Sequence, residues 1–245
     1  MFFYSTNPND HWKDMRIPPV LTATVVTPTI ASNKLTRAIE SVLNQKTKYQ
    51  VQHLLVIDGP EAAAKLPQLH DNIRLMRLPW NVGANGFYGH RIYAASSHLI
   101  NTDAVFFLDE DNFYSEDHVE TCMEKLNGNI FLDFTYSFRN ICDVSGTFIA
   151  IDRFESIGKA PLNLVDTSSY CFRTPFLEKY GHLWHNKWGA DRMFFQSVKD
   201  LAKYESTGLA TLNYCLDGNP GSPTREFFEH GNQQHGWLSN GFSKL

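Results

Sequence analysis

Along the chain, short apolar runs bounded by turn residues alternate with stretches in which apolar residues recur every three or four positions. The densest run is Ala104-Val105-Phe106-Phe107-Leu108. Five successive apolar residues, rich in β-branched and aromatic types, predict a central strand buried on both faces. Ahead of it, residues 20–27 predict a first strand closed by Pro28. Asn33 reads as the N-cap of a helix with Leu35, Ile39, Val42 and Leu43 inward and Lys34, Arg37, Glu40 and Asn44 outward. Residues 51–57 predict a second strand ending in the turn Asp58-Gly59-Pro60, and residues 73–78 a third. A loop over residues 79–86 with two glycines opens onto a helix whose predicted core face is Tyr88, Ile92, Ala95 and Leu99. After the central strand, Ser115 reads as the N-cap of a helix that buries Val119, Cys122, Met123 and Leu126. This order predicts a mostly parallel, doubly wound α/β sheet with right-handed crossovers.

Beyond residue 129 the pattern changes. Ile130, Leu132, Phe134, Tyr136 and Phe138 alternate with other residues, as in a half-exposed strand. Residues 144–151, 169–172 and 209–216 predict further strands, and residues 191–204 a helix with Phe194, Val198, Leu201 and Ala202 inward. Residues 217–245 show no periodicity and read as a tail or lid over the acceptor side. There is no internal repeat. A single domain over residues 1–245 is predicted: a nucleotide-binding half at about 20–112 and an acceptor-side half at about 113–216, where the sheet is smaller and mixed.

Composition narrows the class. Of 245 residues 42% are hydrophobic and 20% charged, with a formal net charge of −4. That balance fits a globular protein and argues against nucleic acid as a partner, which needs a basic surface. No apolar run reaches signal-peptide or membrane-spanning length. Cys122, Cys142, Cys171 and Cys215 form no Cys-x-x-Cys pair, so reduced thiols are expected. The expectation is a cytoplasmic protein, able to work peripherally at the inner face of a membrane.

The chemistry concentrates where the central strand runs into Asp109-Glu110-Asp111. Side chains at i and i+2 share a side, so Asp109 and Asp111 can converge on one cation while Glu110 faces away. Two hard oxygen ligands at a strand's carboxyl end suit Mg²⁺ or Mn²⁺ with a nucleotide. A solvated acidic turn is the plainer reading. Asp58 can cap its turn, and Asp191 can N-cap its helix. Arg153, Arg173 and Arg192 are candidates for diphosphate contact, with surface ion pairing as the alternative. Trp184 and Trp188 can form a stacking platform for an acceptor sugar, or simply pack in the core. His182, His185, His230 and His235 do not match zinc spacing and read mostly as surface or hydrogen-bonded histidines, with one tail histidine, His230 or His235, as an additional metal ligand as the lesser alternative.

Several segments carry a family resemblance. They are Val25-Val26-Thr27-Pro28-Thr29, Arg37 to Gln45, Leu55-Val56-Ile57-Asp58-Gly59, Asn81-Val82-Gly83, Phe107-Leu108-Asp109-Glu110-Asp111 and Trp188-Gly189-Ala190-Asp191. In this order they resemble the family-2 glycosyltransferases, an inverting group with the GT-A fold. The resemblance implies transfer from a nucleoside-diphosphate sugar, favouring UDP, to a hydroxyl of a glycan or lipid-linked acceptor. It places Thr27, Pro28, Asp58, Asn81, Gly83, Asp109 and Glu110 at the donor and Asp109 and Asp111 at a divalent metal. Asp191 becomes the general base, and Trp184, Trp188 and Arg192 lie toward the acceptor. Two positions depart from the family pattern. Ile57 stands where a first acid often precedes Asp58, and Ala190 where a Glu usually precedes the base. Alternatives are a haloacid-dehalogenase-like phosphatase, although Phe113 stands where that class has Thr or Val, and a GT-A domain that binds sugars or nucleotides without turnover. A nucleotidyltransferase lacks its glycine-rich loop here.

Overall fold

A computed structural model describes residues 19–66, 70, 73–153, 164–216 and 223–228. The first half alternates β1 (Thr22–Thr29), α1 (Leu35–Leu43), β2 (Gln50–Ile57), the single turn α2 (Pro60–Ala63), β3 (Ile73–Arg77), α3 (His90–Ala95) and β4 (Ala104–Phe107). The second half contains β5 (Phe113–Tyr114), α4 (His118–Gly128), β6 (Phe134–Cys142), β7 (Phe148–Asp152), β8 (Tyr170–Arg173), α5 (Thr174–Tyr180), α6 (Ala190–Val198) and β9 (Tyr204–Cys215). Among the described residues the strands make one sheet, in the order β3-β2-β1-β4-β8-β6-β9-β5, with β7 added beside β6. The strands from β3 to β4 are mutually parallel. At β8 the direction reverses, and the mixed half continues the same sheet.

Burial explains why β4 sits in the middle. Val105 and Phe107 point to one face, where α3, α5 and α6 supply Tyr93, Phe176 and Phe194. Ala104, Phe106 and Leu108 point to the other, against α1 and α4. The inward residues expected of α4, Val119, Cys122, Met123 and Leu126, are all fully buried. No helix among the described residues is long and apolar enough to cross a membrane.

Several expectations needed correction. Pro28 lies within β1 instead of closing it, paired with Val56. Its side of the strand faces β4, which has ended at Phe107, so its missing N–H costs no ladder bond. Helix α1 is preceded by Lys34, not capped by Asn33, and α4 is preceded by Asp117, not Ser115; neither makes a side-chain cap bond. Tyr88 precedes α3 and is exposed. Strand β6 begins at Phe134, leaving Ile130 and Phe131 in a turn; its edges pair with β8 and β9, and both of its faces are largely buried. Helix α6 stops at Val198; Leu201 is exposed, while Phe195 is buried. Helix α5 and strand β5 were not anticipated: α5 is short, and β5 has two residues. On this register Leu201→Gln should change unfolding free energy by less than about 0.5 kcal/mol, whereas Phe195→Ala should cost about 3–5 kcal/mol. Urea denaturation of the two variants measures both.

Candidate active site

The carboxyl ends of β1, β2 and β4 open into a cleft of about 990 Å³. Its floor is made where the aromatic core meets the acids. Tyr93 stacks on Phe107 at 4.3 Å between ring centroids and carries its hydroxyl up to Asp109 Oδ1 at 2.8 Å. Ser168 Oγ accepts from the Asp109 backbone N–H at 3.0 Å and donates to Asp109 Oδ2 at 3.3 Å. Burial, then the charges of Asp111 and Asp166, push the Asp109 carboxyl up to about 8. Asp111 lines the same cleft, and its carbonyl accepts from Arg37 Nη2 at 3.3 Å. Glu110 also lines it, turned toward the loop after β1, where Thr29 Oγ1 and the Ser32 N–H donate to its Oε2.

The second strand end is built around Asp58. Its two carboxylate oxygens accept the N–H groups of Val82 and Gly83 at 2.6 and 2.9 Å, which pins the glycine loop to the cleft wall. A Cβ on Gly83 would come within 2.3 Å of the Tyr88 carbonyl oxygen and 2.7 Å of Asp58 Oδ2, so no larger residue fits there. Pro28, Asp58, Asn81 and Gly83 all line this end.

Toward the other end lie Asp166 and Asp191. Asp166 Oδ1 accepts the Ser168 N–H at 2.9 Å, and Oδ2 accepts Arg139 Nη1 at 2.5 Å. Arg139 also donates from Nε to Asp152 at 2.8 Å, and the three groups are buried together. Burial opposes the charge on Arg139, but Asp152 and Asp166 hold its pKa above the ordinary value. Asp191 sits in the first turn of α6, which Gly189 enters at φ +80°, so Asp191 is inside the helix and not its N-cap. Its Oδ1 accepts the Arg192 N–H at 2.7 Å. Burial and the Asp166 charge raise it to about 6, against the Arg192 N–H and the charges of Arg139 and Arg192.

Some of the residues singled out from the sequence lie elsewhere. Thr27 is buried beneath the cleft, its hydroxyl 3.0 Å from His53 Nε2. Trp184 is fully buried among Tyr93, Phe107 and Phe194 and offers no sugar-stacking face, whereas Trp188 is 70% exposed and lines the cleft. Arg173 is structural: its Nε and Nη2 donate to the carbonyls of Leu132 and Leu126, each at 2.8 Å. The Arg153 guanidinium lies 5.8 Å from the Phe138 ring, and Arg192 is exposed outside the cleft lining. His185 stacks on Phe87, and His182 is exposed. His230, His235 and most of the 217–245 tail lie outside the described residues; of the described part, Pro223 lines the cleft and Phe228 is buried against Ile141, Ile149 and Ala150. Sequence reasoning missed Asp166, Ser168, Arg139 and Tyr93. A lone Asp-Thr-Ser-Ser segment gives no local sign that it will stand beside Asp109.

Among the described residues no three His, Cys, Asp or Glu side chains gather closely enough to hold a metal by themselves. The all-oxygen pair Asp109 and Asp111, in an acidic neighbourhood that already disfavours a second negative charge, nevertheless fits a hard divalent cation completed by substrate oxygens and water.

A family model described as glycosyl transferase family 2 matches residues 24–200. No curated protein matches the chain in sequence. Among solved structures, TarS of S. aureus superposes with a TM-score of 0.58 at 14% identity, over 80% of this chain and 37% of that one. TarS 1–349 in complex with UDP gives 0.55 at 16% identity, over 80% of this chain and 60% of that one. Without UDP it gives 0.51 at 17%, over 79% and 60%. At these identities the likeness is one of fold, and the chain spans between 37% and 60% of the length of these structures.

The Asp191 shift has a sign that can be checked. A carboxyl raised in the folded state holds its proton more tightly there, so stability falls as pH rises from about 4 through about 6 and stays lower above. Asp191→Asn should therefore melt higher than the parent at pH 7.5 and no higher at pH 4, as followed by thermal denaturation.

Proposed function

The chain belongs to glycosyl transferase family 2, and on that premise we propose that it moves a sugar from a nucleoside-diphosphate donor to an acceptor hydroxyl with inversion. The observation that carries this reading is that the Asp109–Asp111 pair, Asp191 and the Asp58-pinned glycine loop all line one cleft. The nucleotide end is formed by Pro28, Asp58, Asn81 and Gly83. Asp109 and Asp111 would hold Mg²⁺ or Mn²⁺, which supplies charge neutralisation for the departing diphosphate.

Asp191 takes the acceptor hydroxyl's proton as the oxygen attacks the anomeric carbon. The bond from that carbon to the diphosphate oxygen breaks on the opposite face, which inverts the configuration. One base is enough, because the leaving diphosphate needs no proton. A carboxyl poised near 6 suits this role better than an ordinary aspartate, being ionised at neutral pH yet more basic. Trp188, exposed beside Asp191, offers an aromatic face to a glycan or lipid-linked acceptor. The UDP complex of TarS supports a uridine donor by analogy of fold. Family membership sets aside the phosphatase reading, and the presence of all three aspartates favours turnover over mere binding. Buried thiols at all four cysteines suit a reducing compartment, and so a cytoplasmic reaction.

Three results are expected. In a thermal-shift panel of UDP, GDP, dTDP, CDP and ADP, UDP should raise the melting temperature in the presence of Mn²⁺, and Asp111→Asn should abolish the shift. Asp191→Asn should keep UDP binding and lose roughly 10²–10⁴-fold in transfer rate. The parent rate should rise with pH through an inflection near 6. No shift with any nucleotide would sink the donor assignment.

A further inference from the structure

At the nucleotide end of the cleft, one side chain is held in a backbone conformation that its type does not favour. Tyr88 has φ of +51°. In this left-handed region Cβ crowds the following carbonyl, and a bulky residue is an outlier. The loop's other left-handed residues, Asn85 and Gly86, are types that tolerate it. The surroundings enforce the strain. The N–H groups of Phe87 and Tyr88 both donate to the Gly83 carbonyl, at 3.1 and 2.9 Å. Gly83 is packed tightly against the Tyr88 carbonyl and the Asp58 carboxylate. On the far side Gly89 lies against Pro28, where a Cβ would come within 2.8 Å of the ring.

The strain does not serve packing. The Tyr88 side chain is 58% exposed and lines the cleft, its ring in tilted contact with His90 at 5.8 Å. Glycine would satisfy the same backbone at less cost, so the free protein gains little from the ring. Strain held in place by its surroundings, without a packing return, collects at ligand sites.

We propose that the Tyr88 ring is the stacking surface for the nucleobase of the donor. The inference rests on the reading of this cleft as a nucleoside-diphosphate site and adds the residue that grips the base. Asp58 and Asn81 lie at the same end, with the hydrogen-bonding groups a base edge needs, while the Asp109–Asp111 pair serves the diphosphate. The flat ring supplies what those polar groups lack. Stacking of a base on an aromatic face is a recurrent source of affinity that tolerates base identity, so Tyr88 contributes grip and the polar groups contribute choice.

The test compares wild type, Tyr88→Gly and Tyr88→Phe by calorimetric titration with UDP and with inorganic pyrophosphate, each with Mg²⁺, and by melting without ligand. Tyr88→Gly should melt no lower than wild type, bind UDP about tenfold more weakly or worse, and bind pyrophosphate unchanged. Tyr88→Phe should match wild type for both ligands within about twofold, because the ring and not the hydroxyl does the stacking. Wild-type UDP affinity in Tyr88→Gly would overturn the proposal, as would equal loss toward UDP and pyrophosphate or a lower melting temperature. Failure of the underlying reading is distinguishable: the wild type would then bind neither UDP nor pyrophosphate with Mg²⁺.

Discussion

The hydrogen bond from Tyr93 to Asp109 joins the two halves of this protein's physical problem. Its ring is part of the apolar centre, stacked on Phe107 and edge-on to Trp184; its hydroxyl is part of the cleft. Without such a post, a carboxylate set directly on an aromatic core would face a large desolvation cost with nothing to offset it. With it, the acid is fixed in position and its charge is partly supported, while burial and the charges of Asp111 and Asp166 still hold its pKa up.

The opposite arrangement holds at the Asp166–Asp191 end of the cleft. Asp166 receives a guanidinium from Arg139, and Arg139 is shared with Asp152 and flanked by the rings of Tyr214 and Phe228. A buried charge cluster of this kind contributes little net stability but fixes geometry, since displacing any member strands the others. Its outward consequence is the charge of Asp166 beside Asp191. The shift at Asp191 is thus set partly by Asp166, shortly before β8, and by Arg139 on β6, outside the helix that carries it.

Much of this was legible in the sequence because it depends on local periodicity. The run ending at Asp109 predicted β4 and its fate, and the spacing of Val119 to Leu126 predicted the inner face of α4, since both patterns follow from a single element meeting a single layer. Legibility failed where a third element intervened. Alternation suggested a half-exposed strand at residues 130–138, but β6 is an internal strand with both faces largely buried, and it starts at Phe134. Trp184 and Trp188 are four residues apart and identical in type, yet one is core and the other cleft, because the turn between them leaves the layer. Asp166 was invisible for the same reason: its meaning comes from Arg139, 27 residues away, and from Asp109 across a strand. Tyr88 was read as a core position because helical spacing was extended one turn too far.

The last strand of the sheet has a consequence for how the protein comes into being. Strand β9 lies between β6 and β5, and Phe113 pairs with Asn213, one hundred residues later. The side-chain oxygen of Asn112, directly after the acidic triplet, accepts the N–H of Cys215. On a ribosome the acids therefore emerge long before the segment that clamps them, and the nascent chain must wait with β5 and the flank of β6 unpaired. Pairing over such separations is slow, and open strand edges invite association with other chains. Closure of the cleft floor therefore has to wait for the chain that carries β9.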